Sequence, residues 1–169
     1  SDPHAEEASL LRTCEPGHFT GSALIVDAAG ERILVLLHAK AGRWFQPGGH
    51  ADGEADLGAV ARREAEEETG IEGLEQYGPA IDLDIHLLIP REGPNHRHLD
   101  VRYLFRAPAD AVVQCNHESE ALRWVTLDEL RMLGPDDGLV RLATRGLALA
   151  SGGSVFAEGA VSEAEAGGA

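Results

Sequence analysis

The stretch of sequence that decides the fold is an acidic segment, RREAEEETG at residues 62–70. At helical spacing, Glu64, Glu67 and Glu68 stand at positions i, i+3 and i+4, so they share one face of a helix. Gly70 then supplies the left-handed residue with which helices commonly end. The segment predicts the last turns of a helix that carries three carboxylates on one face.

The apolar residues Leu57, Val60 and Ala61 precede the carboxylates on the same face, so the acidic end should point toward the protein rather than away from it. Each carboxylate near a helix C-terminus opposes the macrodipole by about 0.3–1 kcal/mol. Like-charged neighbours at these spacings cost about 0.2–0.5 kcal/mol per pair. A bound divalent cation removes this conflict, because hard ions such as Mg²⁺ prefer several carboxylate oxygens. A solvated acidic face is the alternative, and the spacing alone leaves both interpretations open.

Apolar periodicity and turn residues predict the elements around this helix. The predicted strands are 19–27, 32–38, 80–89, 101–106 and 122–125, and the predicted helices are 4–12, 57–69, 127–133 and 139–149. The polar segment 90–98 is predicted to be a loop. Strands mixed with helices indicate an α/β sandwich in one domain over 18–150. Residues 1–17 are expected to form an N-terminal helical segment, and the Gly- and Ala-rich 151–169 an acidic disordered tail.

Composition excludes several classes of function. The chain has 14 Lys and Arg against 29 Asp and Glu, a formal net charge of −15, which argues against nucleic-acid binding through the phosphate backbone. No stretch approaches the length of a membrane span, and the acidic start does not resemble a secretory signal, so we expect a cytoplasmic protein without a membrane partner. Cys14 and Cys115 lie far apart without CxxC spacing, which is typical of free thiols in a reducing compartment.

Reading outward from the acidic helix, residues 49–71 resemble the Nudix box, G-x5-E-x7-R-E-U-x-E-E-x-G-U, in which U is a bulky apolar residue. The matching residues are Gly49, Arg63, Glu64, Glu67, Glu68, Gly70 and Ile71. Ala65 places a small residue at the first apolar position. Ala55 replaces the first glutamate of the pattern, and Glu54 and Asp56 flank it as conjectural substitutes. This departure puts the geometry of the loop in doubt more than the chemistry.

The resemblance continues beyond the box. The run WFQPGGH at 44–50 is similar to the approach loop of Nudix proteins, and 122–130 looks like their late strand-to-helix segment. The likeness spans about 19–149. It implies a Nudix-type α/β/α sandwich with a mixed β-sheet. It also implies a hydrolase that uses Mg²⁺, with Mn²⁺ as the alternative, to cut a diphosphate linkage by water attack on phosphorus. The implied substrate is a small nucleoside diphosphate derivative, such as a nucleotide, a nucleotide sugar or a dinucleotide.

The resemblance assigns roles to the residues that match. Glu67 and Glu68 are implied as the first-choice metal ligands, Glu64 as another ligand or the general base, and the Gly48 carbonyl as a further ligand. Arg63 can reach Glu67 at i+4 and is expected to orient the carboxylates. A further acidic residue usually joins from a loop, and here Glu118 and Glu120 are the candidates, either as a ligand or as the general base.

Weaker signals indicate how the substrate is bound. Lys40 and Arg43 precede the glycine loop and offer positive charge to an anionic substrate, Trp44 offers a ring for a nucleobase, and core packing is the more frequent role of such a ring. His50 follows the double glycine. Arg102 stands where a loop enters a strand. The eight histidines show neither HExxH nor paired Cys/His spacing, so the sequence predicts no zinc site.

Two other functions fit the same resemblance. A non-catalytic Nudix module would sense a nucleotide, but such modules tend to lose the helix glutamates, and all three are present here. An enzyme similar to isopentenyl-diphosphate isomerase would use a Cys and a Glu, and Cys115 lies outside a matching motif. Many Nudix proteins are dimers, so a homodimer is a possible state of this chain.

Overall fold

The computed structural model describes residues 9–11, 17–88 and 95–152. Within these ranges the strands are β1 (Gly17–Val26), β2 (Ile33–His38), β3 (Arg43–Phe45), β4 (Gly48–His50), β5 (Glu75–Gln76), β6 (Asp82–Leu88), β7 (His96–Arg106) and β8 (Ser119–Val125). The helices are α1 (Leu57–Thr69), α2 (Leu127–Met132) and α3 (Asp137–Ser151). None of the helices in the described ranges combines the length and the apolarity that crossing a bilayer requires.

All these strands belong to one mixed sheet. The main order is β3-β2-β1-β7-β5, with β4 paired to β1, β6 to β7 and β8 to β2. The pairing of β1 with β7 is parallel and runs the full length of β1, whereas the other pairings are antiparallel. Because β4 and β6 flank the parallel pair at the same end, side chains from four strands meet there.

Helices cover both faces of the sheet and confirm the α/β/α sandwich. On one face, Ala61 and Ala65 of α1 pack with Ile25 and Phe105 in a buried cluster. On the other face, α2 and α3 contribute Leu130, Leu139, Leu142 and Ala143 to a second buried cluster, together with Leu24, Leu104 and Val125 of the strands. Successive residues of β1 thus pack against opposite helical layers, because side chains alternate between the two faces of a strand.

Two local predictions are confirmed. The first four residues of β2, from Ile33 to Leu36, are buried, as expected for an apolar run covered on both faces. Helix α1 spans the predicted residues and begins at Asp56, whose side chain accepts a hydrogen bond of 3.0 Å from the Ala59 N–H. It ends at Gly70 with φ of 70°, a left-handed conformation that suits glycine.

Helix α1 lies unusually close to the sheet because β1 has a glycine beneath it. A Cβ atom built on Gly21 would come within 2.6 Å of the Leu57 carbonyl oxygen. The small residues Ala61 and Ala65, both fully buried, continue this contact. The close approach places the glutamates at the end of α1 directly beside β4.

Some predicted boundaries were wrong. Strand β7 begins at His96, whereas 90–98 was predicted as a loop; residues 89–94 lie outside the described ranges. The start of β7 is polar, which suggested a loop, but its pairing with β1 makes it a strand. Strand β8 begins at Ser119 instead of 122, and α3 begins at Asp137 instead of 139. The predicted helix 4–12 and the predicted tail 151–169 lie largely outside the described residues.

Candidate active site

A cleft of about 990 Å³ opens at the end of the sheet where β1, β4, β6 and β7 meet. Its walls come from these strands, from β3, from the C-terminal half of α1, from the loop before β8 and from the start of α3. The sheet and the helices on both of its faces thus contribute residues to one cavity.

Carboxylates from two elements converge on this cleft. Glu64 and Glu68 of α1 line it, and Glu118 joins them from the loop before β8. The Gly48 N–H donates a hydrogen bond of 3.2 Å to Glu68 Oε2. Burial raises the pKa of Glu68 to about 8, although this hydrogen bond lowers it. The charges of Glu64, Glu118 and Glu67 raise the pKa further. The carboxylates therefore repel one another in a partly dry site.

The glycine loop makes room for these acids. A Cβ atom on Gly49 would lie 2.6 Å from both carboxylate oxygens of Glu64, and one on Gly48 would collide with the Ser22 hydroxyl. Both glycines belong to β4, which pairs with Gly21 and Ser22 of β1. The double glycine thus brings the backbone against the carboxylates.

Arg63 orients a carboxylate, although the partner differs from the predicted one. Its Nη2 atom donates to Glu64 Oε1 at 3.0 Å and to the His50 carbonyl oxygen at 3.5 Å. The sequence predicted Glu67 as the partner. Glu67 is exposed and is not among the described residues that line the cleft, although its charge acts on Glu68.

The set of donors fits a divalent cation. Carboxylate oxygens from Glu64, Glu68 and Glu118 are the ligands that Mg²⁺ and Mn²⁺ prefer. The raised pKa of Glu68 shows that its ionised form is unfavourable without a compensating positive charge. The missing Cβ of Gly49 leaves the Glu64 carboxylate open to the cleft.

The two acidic residues of the loop before β8 differ in position. Glu118 lines the cleft, and its backbone is held by Asn116 Oδ1, which accepts from the Glu118 N–H at 2.9 Å, and by the Ala39 N–H, which donates to the Glu118 carbonyl at 3.1 Å. Glu120 lies on β8, is exposed, and is not among the described residues that line the cleft.

The substitutes conjectured for the first glutamate of the motif have other roles. Asp56 caps α1, and Glu54 Oε1 accepts a hydrogen bond of 2.9 Å from the Asp56 N–H. Neither is among the described residues that line the cleft. The loop geometry at Ala55 is therefore maintained by helix capping.

Arg102 lines the cleft and is buried in a network of acids. Its Nε donates to Asp100 Oδ2 at 2.7 Å, and its Nη atoms lie 3.5 Å from Asp82 and 3.3 Å from Asp84. A further hydrogen bond goes to the Gly138 carbonyl oxygen at 3.1 Å. That Arg102 binds substrate stays a prediction: the residue lines the cleft, but its charge is already shared by three carboxylates.

The network extends from β1 to α3. Asp100 Oδ1 accepts hydrogen bonds from Thr20 at 2.9 Å and from Ser22 at 2.7 Å. Arg141 of α3 donates to both oxygens of Asp82 and to Asp84. These bonds join β1, β6, β7 and α3 along the floor of the cleft.

Strand β3 presents a different aromatic residue from the predicted one. Arg43 and Phe45 line the cleft, with the Arg43 guanidinium 5.9 Å from the centre of the Phe45 ring. Trp44 lies between them and packs against the core cluster of α2 and α3, because successive residues of a strand face opposite sides. Lys40 is exposed and, unlike Arg43, is not among the described residues that line the cleft.

A cluster of histidines that was not predicted from the sequence lies beside the carboxylates. His18, His50, His86, His96 and His98 come from four strands, with ring centres about 5 Å apart. His50, predicted as a substrate-binding residue, lines the cleft within this cluster. A signal was present in the alternation of polar residues at 96, 98, 100 and 102, which is the period of a strand.

The chain is similar to known proteins in sequence and in fold. A family model described as the NUDIX domain matches residues 18–142. The chain is similar to the structure of a NUDIX-family hydrolase from Clostridium perfringens, with 26% sequence identity, a TM-score of 0.61, and coverage of 78% of this chain and 97% of that chain.

Two further solved structures share the fold at lower identity. A C. elegans Ap4A hydrolase in a binary complex has 21% identity and a TM-score of 0.65, covering 79% of this chain and 98% of that chain. The MutT protein from Methanosarcina mazei Go1 has 24% identity and a TM-score of 0.58, covering 78% of this chain and 93% of that chain. Among curated proteins, none matches the chain. Because the matched domain spans most of the chain and includes the acidic cleft, this protein belongs to the Nudix hydrolase family.

Proposed function

We propose that this enzyme hydrolyses a diphosphate linkage in a nucleoside diphosphate derivative and requires Mg²⁺ or Mn²⁺. The observation that carries the proposal is the convergence of Glu64, Glu68 and Glu118 on one cleft, with the pKa of Glu68 raised to about 8 by burial and by its acidic neighbours. Such a cluster in an acidic protein favours a substrate that arrives with divalent cations.

The residues that would hold the cation are Glu64 and Glu68, which line the cleft. The family resemblance adds Glu67, although its side chain is exposed, and the carbonyl of Gly48. Glu118, the third carboxylate of the cleft, is assigned a different role. When bound, the ion supplies neutralisation of the charge on the diphosphate and acidification of a water molecule. Arg63 keeps the Glu64 carboxylate in place through its hydrogen bond of 3.0 Å. The Gly48 N–H similarly restricts Glu68.

Glu118 is our choice as general base. Its side chain is 57% exposed, so it can exchange protons with solvent, yet it lies at the cleft near Glu68. A base must lie within hydrogen-bond reach of the attacking water, and two backbone hydrogen bonds of the loop restrict Glu118 to this wall of the cleft. Glu64 remains the alternative base.

Arg43 and Phe45 are our choice for binding the nucleotide. Arg43 brings a positive charge to a cleft whose other basic groups, Arg102 and Arg141, are bound to Asp82 and Asp84. Phe45 offers a ring face of the kind on which bases stack. A nucleobase at β3 would leave its phosphates directed toward the glutamates of α1.

The test is hydrolysis of a panel of nucleotides, nucleotide sugars and dinucleotides in the presence and absence of Mg²⁺. We expect Mg²⁺-dependent release of monophosphate from at least one of them. In Glu67→Gln and Glu68→Gln, kcat/KM should fall at least about 100-fold. Mutation of residues that only support metal ligands already lowers metal affinity or activity by up to about this factor. Glu66→Gln, an exposed neighbour on the same helix, is the matched control and should retain activity.

The same panel separates this proposal from a nucleotide sensor. Saturable nucleotide binding without turnover in Mg²⁺ or Mn²⁺ would contradict the proposed hydrolase and support a sensor. Full activity in both Glu67→Gln and Glu68→Gln would contradict our assignment of the metal site. Circular dichroism of each variant distinguishes a lost activity from a lost fold.

A further inference from the structure

The histidine cluster forms a continuous row across the sheet. His18 of β1 stands opposite His98 of β7, which in turn stands opposite His86 of β6. His96 lies two residues before His98, on the same face of β7, and His50 of β4 stands opposite Thr20, two residues beyond His18. Strand register therefore holds five imidazoles on one face of the sheet at the end of the cleft.

Three of these residues have the spacing of metal ligands. The ring centres are 4.6 Å apart for His18 and His98, 5.0 Å for His18 and His96, and 5.5 Å for His96 and His98. One ring nitrogen from each lies within 4.8 Å of the other two. Nitrogens bound to a tetrahedral metal at about 2.0–2.1 Å are about 3.4 Å apart, so small rotations of the side chains suffice to close the site.

Two of these imidazoles are held away from water. His18 is 2% exposed, and Nε2 of His98 is buried and meets no hydrogen-bond partner among the described residues. Desolvation lowers the pKa of His98 to about 3, and the neighbouring His18, His50, His86 and His96 lower it further by repulsion. Neutral imidazole offers the lone pair that a metal needs.

Nε2 of His98 is also costly to bury without a ligand. Buried polar nitrogens need hydrogen bonds or metal ions, and apolar residues would fill the same space at lower cost. His86 is already bonded to Asp84, with Nδ1 3.3 Å from Oδ2, so it is not counted among the metal ligands. His50 borders the other three and also lines the cleft.

We propose that His18, His96 and His98 bind a first-row transition-metal ion of the Zn²⁺ type, separate from the carboxylate site. Imidazole suits Zn²⁺, Co²⁺ and Ni²⁺, whereas Mg²⁺ prefers oxygen ligands, so the two sites select different ions. Three neutral ligands leave the charge of the ion uncompensated and leave a further coordination position for His50, a water or an anion. The ion would thus add positive charge beside the glutamates of the cleft.

The experiment measures metal binding directly and does not depend on hydrolysis. Tag-free protein is stripped with a chelator and titrated with Zn²⁺ by calorimetry in excess Mg²⁺, and with Co²⁺ by visible absorption. We expect one equivalent of Zn²⁺ to bind and the Co²⁺ complex to show the d–d bands of nitrogen ligation. His96→Ala and His98→Ala should each weaken Zn²⁺ binding by at least about 100-fold.

Two controls identify the site. His117→Ala removes a histidine that is 88% exposed and outside the cluster, and Glu68→Gln changes the carboxylate site; both should bind Zn²⁺ as the wild type does. The proposal is overturned if Zn²⁺ does not bind saturably in excess Mg²⁺, if the His96 and His98 variants bind normally, or if Glu68→Gln alone abolishes binding. Circular dichroism checks the fold, and the partly exposed His96 keeps the test available should His98→Ala not fold.

Discussion

The carboxylate of Glu64 occupies the space that a side chain at Gly49 would need. A Cβ atom at Gly49 would lie 2.6 Å from Oε1 and Oε2 of Glu64, which themselves are the ends of a flexible side chain. Glycine at this position is therefore required by the carboxylate rather than by the backbone conformation, since Gly49 has no left-handed φ.

Gly49→Ala should displace the Glu64 carboxylate while leaving the fold intact. A misplacement of about 1 Å can cost on the order of 100-fold in rate, so kcat should fall by about that factor while the melting temperature changes little. Steady-state kinetics and thermal melts check both effects. Gly78→Ala is the control, since a Cβ there meets open space. Unchanged kcat in Gly49→Ala would contradict this account of the glycine.

Glu118→Gln and Glu120→Gln form a matched pair. Both residues are exposed, but of the two only Glu118 lines the cleft and raises the pKa of Glu68 by its charge. Loss of a general base costs about 10²- to 10⁴-fold in rate, so kcat should fall by this amount in Glu118→Gln and stay near the wild-type value in Glu120→Gln. Equal effects in the two variants would rule out Glu118 as the specific base.

Phe45→Ala and Trp44→Ala should separate binding from stability. Stacking on an aromatic ring contributes about 1–3 kcal/mol per base, so KM for a nucleotide substrate should rise about 5- to 150-fold in Phe45→Ala. Trp44 packs against the core, so Trp44→Ala should lower the free energy of unfolding by about 3 kcal/mol. Denaturant titration and substrate kinetics on both variants measure the two effects, and the reverse pattern would show that the faces of β3 are misassigned.

Arg102→Met should destabilise the protein strongly. Arg102 and Asp100 each have a side chain 4% exposed, and the change leaves Asp100 as a buried charge without its arginine. Breaking one partner of a buried pair costs about 3–5 kcal/mol, which denaturant titration will detect. Arg131→Met, which removes an exposed pair with Asp128, should cost at most about 1 kcal/mol. Similar losses in the two variants would be inconsistent with the buried network.

Asp84 should contribute stability that depends on pH. Burial alone would raise its pKa, but the hydrogen bond from Arg141 and the charge of Arg102 outweigh burial and hold the pKa below its usual 3.8. A depressed pKa in the folded state stabilises the fold above pH 3.8, and this contribution is lost as pH falls through the folded value.

The free energy of unfolding of Asp84→Asn should therefore lie below that of the wild type at neutral pH. The gap should narrow as the pH falls below 3.8 toward the depressed pKa. Denaturant titrations of both proteins across this range measure the gap. The exposed Asp110→Asn is the control and should differ little from the wild type at any pH. A gap that stays constant with pH would contradict the assigned role of Asp84.

Features that depend on neighbours in sequence were predictable. The span of α1, its end at Gly70 and the buried run of β2 follow from helix spacing, glycine conformation and apolar continuity, which are local properties of the chain. The Nudix resemblance rested on the glutamates of α1, and two of them, Glu64 and Glu68, line the cleft. The sequence by itself thus determined the family, the fold and the main acidic residues.

Tertiary structure decided which residues share the site. His18 and His98 are separated by 80 positions and meet only because β1 and β7 pair in parallel. The same register surrounds Arg102, which was predicted to bind substrate, with acids from β6 and β7. Strand pairing depends on packing and hydrogen bonding between segments that are far apart in sequence. The periodicity of one strand therefore cannot specify which strand it pairs with.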